Sequence, residues 1–190
     1  VPGRVGRPRG TGGVRCWGSN SAGPLGDGTE TATLLPTATD VLTDVRAIAA
    51  GDVHTCALLN SGSVQCWGQT NLGQHDAYWL THLVPTNCDG ITDVQNIYAS
   101  GRYTCVLLNS GAVRCWGADT SGQLGDGIAD SHGLHAITVE LVTNAQSVAT
   151  GYFHTCALVT NGGVRCWGDD LEGQLGDGRA GYRATPTWIA

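Results

Sequence analysis

Four histidines and an aspartate stand closest to chemistry in this sequence. His75, Asp76 and His82 fall in HDAYWLTH (75–82), and His132 and His135 fall in IADSHGLHA (128–136). Imidazole and carboxylate groups bind zinc and other divalent metals, and a metal so held lowers the pKa of its bound water toward neutrality. That is the chemistry of a metal-dependent hydrolase. His82 and His132 stand at nearly the same offset from the Cys-Trp-Gly preceding each loop, so the two loops are expected side by side on one rim. Against this, His-x-x-His in a loop carries no fixed geometry, and solvated surface histidines give the same letters. Tyr78 and Trp79 in the first loop suit contact with a protein or glycan partner instead. The chain contains neither G-x-S-x-G nor the phosphate-cradling GxxxxGK[ST]. No cofactor is expected beyond such a zinc or other divalent ion.

The cysteines form the second set. Cys56 and Cys66, Cys105 and Cys115, and Cys156 and Cys166 are each ten positions apart, with Asn60-Ser61-Gly62, Asn109-Ser110-Gly111 and Thr160-Asn161-Gly162 midway. A three-residue loop with glycine in the left-handed position sets Leu59 against Ser63 and Leu58 against Val64. Two steps further, Cys56 then faces Cys66 on the same side of the hairpin, within bridging reach. A cross-strand disulfide in each hairpin is the economical reading. Buried free thiols remain an alternative, whereas zinc would want a closer spacing such as CxxC. Cys16 and Cys88 are left over, to pair with each other, to pair between chains, or to stay reduced.

The elements that position these groups recur at about fifty residues. Cys-Trp-Gly stands at 16–18, 66–68, 115–117 and 166–168. After it come GPLGDG (23–28), GQHDAY (73–78), GQLGDG (122–127) and GQLGDG (173–178). Before it come IAAGDVHTC (48–56), IYASGRYTC (97–105) and VATGYFHTC (148–156). Each unit offers about four short apolar segments separated by glycine-rich turns, the pattern of a four-stranded propeller blade. The expected fold is all-β, with three full blades and a trailing half blade. Residues 1–11 match nothing later and are expected to be a disordered tail or an expression remnant, and 12–190 one repeat domain with units at about 12–47, 48–96, 97–147 and 148–190.

The string G-x-x-H-T-C-A-L-x-x-x-G-x-V-x-C-W-G…G-Q-L-G-D-G resembles the repeat of the regulator of chromosome condensation (RCC1) family, in the cysteine-containing variety typical of bacterial proteins. The resemblance covers residues 12–190. Complete members resemble seven-bladed rings, which makes this chain look like about half of one. It also implies that His54 and His154 hydrogen-bond the blade framework. Two departures stand out: Tyr103 replaces the histidine of the third unit, and Gln74-His75-Asp76-Ala77 replaces LGDG in the second. Relatives include nucleotide-exchange factors and protein inhibitors, so the resemblance does not fix a task.

Composition narrows the classes. The net charge is −6, and three of the ten Arg lie in the first nine residues, so the domain offers no basic face for a nucleic acid. No apolar run approaches membrane-spanning length. Glycine is abundant at 29 residues and glutamate scarce at three, which favours short strands and turns over helices. Disulfides imply an oxidising compartment, so a periplasmic, cell-surface or extracellular location is expected, with any signal outside this stretch. The recurring tryptophans read as blade-to-blade packing, and the Asp27, Asp126 and Asp177 turns as local hydrogen bonding rather than calcium sites. The leading expectation is a non-catalytic binding module presenting its rim loops to a partner. The rivals are the hydrolase above and a structural repeat of a larger surface protein. The incomplete blade edge leads us to expect homo-oligomers.

Overall fold

The hairpin around Asn60-Ser61-Gly62 sets the pattern that the chain repeats. In the computed structural model, which describes residues 4–5, 12–70, 81–130 and 136–189, β4 (His54–Leu59) and β5 (Val64–Gln69) pair antiparallel, with Leu58 opposite Val64 and Cys56 opposite Cys66. Gly62 sits at φ 84°, a conformation that a Cβ opposes, and its N–H donates to Leu59 O at 3.0 Å while Leu59 N–H donates to Ser63 O at 2.9 Å. The turn therefore fixes the register, and the register faces the cysteines.

Two outer strands complete the blade: β3 (Val45–Ala50) beside β4, and β6 (Thr81–Asn87) beside β5. The next four strands repeat this as β7 (Val94–Ser100), β8 (Tyr103–Leu108), β9 (Val113–Gly117) and β10 (Ile137–Thr138). A third sheet follows, of β11 (Ala145–Thr150), β12 (His154–Val159), β13 (Val164–Gly168) and β14 (Arg183–Trp188). Ahead of them, β2 (Cys16–Trp17) stands in the first unit, with bridges Val14–Leu42 and Gly18–Thr33 marking its outer strand. The backbone of β1 (Arg4–Val5), inside the stretch expected to be a tail, pairs with β2 and sets Val5 opposite Cys16. Among the described residues every regular element is a strand. The all-β blade architecture read from the fifty-residue period holds.

Both faces of β4, β5, β8 and β9 are largely buried, whereas in the last sheet β12 leaves Leu158 37% exposed. Along β4 the cysteine and Leu58 enter an apolar cluster with Val94, Ile97, Val106 and Trp116 of the following unit, while Ala57 enters one with Val14, Cys16 and Leu25 of the preceding unit. A third cluster joins Leu107, Val113 and Leu124 to Val148, Ala157 and Trp167. The core thus lies between sheets rather than within one, as face-to-face stacking of blades requires. Trp67 and Trp167 are fully buried at these seams. A buried aromatic removes about 200 Å² from water, worth up to about 5 kcal/mol at about 25 cal/mol per Å².

All three hairpins carry their disulfide, Cys56–Cys66, Cys105–Cys115 and Cys156–Cys166, each with Cα atoms 4.1 Å apart. Cys16 and Cys88 are buried free thiols, so the alternative that they bridge to each other is set aside. Counted from the Pro-Thr pairs at 36–37 and 85–86, Cys88 falls level with Thr39, but the backbone corrects this. Cys88 N–H donates to Val64 O, as Val139 does to Val113 and Ile189 to Val164, so Cys88 takes a position that is apolar in those siblings.

Candidate functional site

The recurring tryptophan and threonine of the second and fourth units are engaged at the seams. Trp67 Nε1 donates to Pro24 O at 2.8 Å and Thr55 Oγ1 to the same carbonyl at 2.9 Å. Two intervals later, Trp167 Nε1 and Thr155 Oγ1 share the Gln123 carbonyl at 2.8 and 3.0 Å. Each pair reaches back to the turn that follows the preceding Cys-Trp-Gly. The reach forward comes from the position before the threonine. His54 Nε2 lies 2.8 Å from Thr104 Oγ1 of the next sheet. Tyr103, which replaces the histidine, sets its hydroxyl 3.0 Å from Thr155 Oγ1 and 2.5 Å from His154 O. The framework role implied for His54 is therefore visible, and tyrosine performs it where histidine is absent.

Burial tunes these groups. His54 is held down to about 4 by desolvation, with the Asp52 charge opposing, so the imidazole is neutral and one ring nitrogen carries the proton. The Tyr103 phenol is raised, by burial first, with the Thr155 hydrogen bond opposing. A further buried position stands three residues after each Cys-Trp-Gly tryptophan: Asn20, Thr70, Asp119 and Asp170. Asn20 Oδ1 accepts Leu25 N–H at 3.0 Å, Asp119 Oδ1 accepts Leu124 N–H at 2.8 Å, and Asp170 Oδ1 accepts Leu175 N–H at 2.9 Å. Asn20 Nδ2 also donates to the carbonyls of Thr29 and Thr31, at 2.9 and 3.2 Å. Asp119 has an oxygen in place of that donor, and its Oδ2 is buried with no hydrogen-bond partner. Desolvation raises its carboxyl to about 7, Leu124 N–H pulling against the rise and Asp126 adding to it. The signal for this position in the sequence is its Asn/Thr/Asp/Asp variation beside a Trp-Gly common to all four units.

The Gly-Asp-Gly aspartates do what local turns require. Asp27 Oδ1 accepts Thr29 N–H, Asp126 Oδ1 accepts Ile128 N–H, and Asp177 Oδ1 accepts Arg179 N–H, at 3.0, 2.9 and 2.9 Å. Asp177 also pairs with Arg183 at 2.8 Å.

Of the histidine cluster, only His82 is among the described residues. It lies on β6 opposite Gly68, half-buried, with Nδ1 3.4 Å from Thr86 Oγ1, and desolvation lowers its pKa. His75, Asp76, His132 and His135, like Tyr78 and Trp79, lie outside the described residues. Among the described residues no three His, Cys, Asp or Glu side chains are grouped to hold a metal ion. The β6 side of the second unit also exposes Val84, and the first unit presents Leu34 and Leu35 at 95% and 73% exposure in the equivalent outer segment. A consecutive Leu pair just before Pro36 was the available signal for that apolar edge.

The Regulator of chromosome condensation (RCC1) repeat is matched at residues 11–58, 45–74, 94–123 and 145–174. The chain is similar to the Ultraviolet-B receptor UVR8 of Arabidopsis thaliana, 30% identical over 183 residues, which cover 93% of this chain and 41% of that protein. Among solved structures it resembles human WBSCR16 with a TM-score of 0.84 and 22% identity, over 100% of this chain and 51% of that one. It also resembles Prp20p of Saccharomyces cerevisiae, with a TM-score of 0.77 and 22% identity, over 94% of this chain and 46% of that one. The chain therefore spans about half the length of the relatives it matches. The matched repeats cover most of the sequence and coincide with the four Cys-Trp-Gly units: this chain belongs to the RCC1 repeat family.

Proposed function

We propose that the chain is a protein-binding segment of an RCC1-type propeller, in which seam residues hold the blades and unit-specific loops meet the partner. The observation that carries this reading is the division of labour among side chains. Tryptophan, threonine and His54 or Tyr103 are turned inward to carbonyls and hydroxyls of adjacent units. That leaves chemistry facing outward to the segments that differ between units. The relatives support a protein partner: one solved structure is of yeast RCC1 (Prp20) bound by Kap60, and another concerns Prp20p binding to Gsp1p and histones. Three intact hairpin disulfides support maturation in an oxidising compartment.

The test is a loop exchange. Residues 74–77 are replaced by the Gln-Leu-Gly-Asp of the third unit, and crosslinking with mass spectrometry reads which proteins each version captures. Capture of a defined partner by the parent chain and its loss on exchange, with all three disulfides retained, supports the reading. Equal capture by both versions removes these loops from the interface.

A further inference from the structure

Cys88 is a buried thiol pressed against a disulfide. Its S–H donates to Cys66 Sγ at 3.2 Å, while Cys66 is bonded to Cys56. This is closer than sulfur atoms in simple packing contact, and the equivalent positions Val139 and Ile189 bring no sulfur to the other two disulfides. On the far side of the same disulfide stands a donor. Thr104 Oγ1 lies 3.6 Å from Cys56 Sγ and 2.8 Å from His54 Nε2. An attacking sulfur thus touches one end of the bond, and a hydroxyl backed by an imidazole touches the other.

We propose that Cys56, Cys66 and Cys88 form a thiol–disulfide exchange centre in which Cys88 displaces Cys56 from Cys66. The Cys88 thiol gives up its proton, and a sulfur lone pair attacks Cys66 Sγ. The Cys88–Cys66 bond forms as the Cys66–Cys56 bond breaks, and the bonding pair leaves on Cys56, which takes up a proton. One disulfide is lost and one is made, so no outside oxidant or reductant is consumed. Thr104 donates its hydroxyl hydrogen to the departing Cys56 sulfur, and His54 Nε2–H donates to Thr104 Oγ1. The buried His54 Nδ1, which has no hydrogen-bond partner, fits a proton on Nε2. The exchange moves the covalent clip from the β4–β5 hairpin to β5 and the residue after β6. Cys88, 7% exposed against 0% for the other two cysteines, is the residue of the three nearest to solvent. Burial holds its thiol up at about 12, with the Asp89 charge adding and a hydrogen bond to the Cys66 backbone opposing, which makes the exchange slow at neutral pH and faster in alkali.

Two measurements test this, both read by N-ethylmaleimide trapping, digestion with pepsin in acid, and peptide mass mapping. In Cys56→Ser treated with oxidised glutathione, Cys66 and Cys88 are expected to lose alkylation together and to appear as one linked peptide, with Cys105–Cys115 intact as the control for folding. Recovery of both as alkylated thiols or as glutathione adducts would overturn the proposal. In the parent chain at mildly alkaline pH, Cys56 is expected to become alkylated faster than in Cys88→Ala by on the order of tenfold or more, because only the parent has an internal thiol to open the bond. Equal rates in the two would overturn it as well.

Discussion

Replacing Asp119 with asparagine should stabilise the protein, and the gain should grow with pH. Asp119 is fully buried, with one oxygen satisfied by Leu124 N–H and the other unpaired. Its carboxyl is raised from 3.8 to about 7. The sign follows from proton counting. Between these values the folded chain holds a proton that the unfolded chain has released, so stability falls as pH rises from about 4 and levels off above 7. Each pKa unit is worth about 1.4 kcal/mol, so the buried carboxylate costs on the order of 4 kcal/mol at pH 8 and under half of that at pH 5. Asparagine removes the ionisation, and Asn20 shows the neutral side chain accepting the equivalent N–H while donating to nearby loop carbonyls. The advantage of Asp119→Asn should therefore increase by roughly 2–3 kcal/mol between pH 5 and pH 8. At about 2–4 °C per kcal/mol for a chain of this size, the change in relative melting temperature is about 5–10 °C. Thermal melts followed by tryptophan fluorescence at both pH values measure it, with Trp67 and Trp167 as buried reporters. The same gain at both values, or a variant less stable than the parent at pH 8, refutes the reasoning.

His54, held down to about 4, gives the opposite slope: the unfolded chain takes up a proton that the fold refuses, so stability is lost as pH falls from about 6.5 toward 4. His54→Tyr, copying Tyr103, should flatten that acid limb in urea titrations between pH 4 and 7. Gly117→Ala should lose soluble folded protein in expression trials, because a Cβ there would meet Arg102 O at 2.5 Å and Tyr103 Cα at 2.6 Å from φ +115°. Gly162→Ala, with φ +84° and open space, should cost only about 1 kcal/mol in a urea melt. Replacing Cys156 and Cys166 together by alanine should lower unfolding free energy by about 2–3 kcal/mol in the same assay.

Short-range order in this fold was legible because a three-residue turn and a two-residue period leave the hairpin little freedom. Once Gly62 takes the left-handed turn position, Leu58 must meet Val64 and Cys56 must meet Cys66. The fifty-residue interval likewise revealed the units, because each seam needs its tryptophan and its turn. What the letters did not disclose are contacts set by three-dimensional approach. Cys88 aligns by its Pro-Thr neighbours with Thr39, yet its backbone hydrogen bond to Val64 brings its sulfur onto Cys66. The unpaired oxygen of Asp119 is visible only against the paired nitrogen of Asn20. For the rim cluster a loop spacing fixes no side-chain direction; His82, the member among the described residues, stands beside Thr86.

The tryptophan hydrogen bonds have a polarity. The indoles of Trp67 and Trp167 plug into a socket left by the unit before, the turn that carries Pro24 in one case and Gln123 in the other. A stack joined in this way is read in one direction, like tiles with a tongue on one side and a groove on the other. Copies that keep this turn could be duplicated or reordered without redesigning the joint, and the rest of their outward decoration could drift while the masonry stayed fixed.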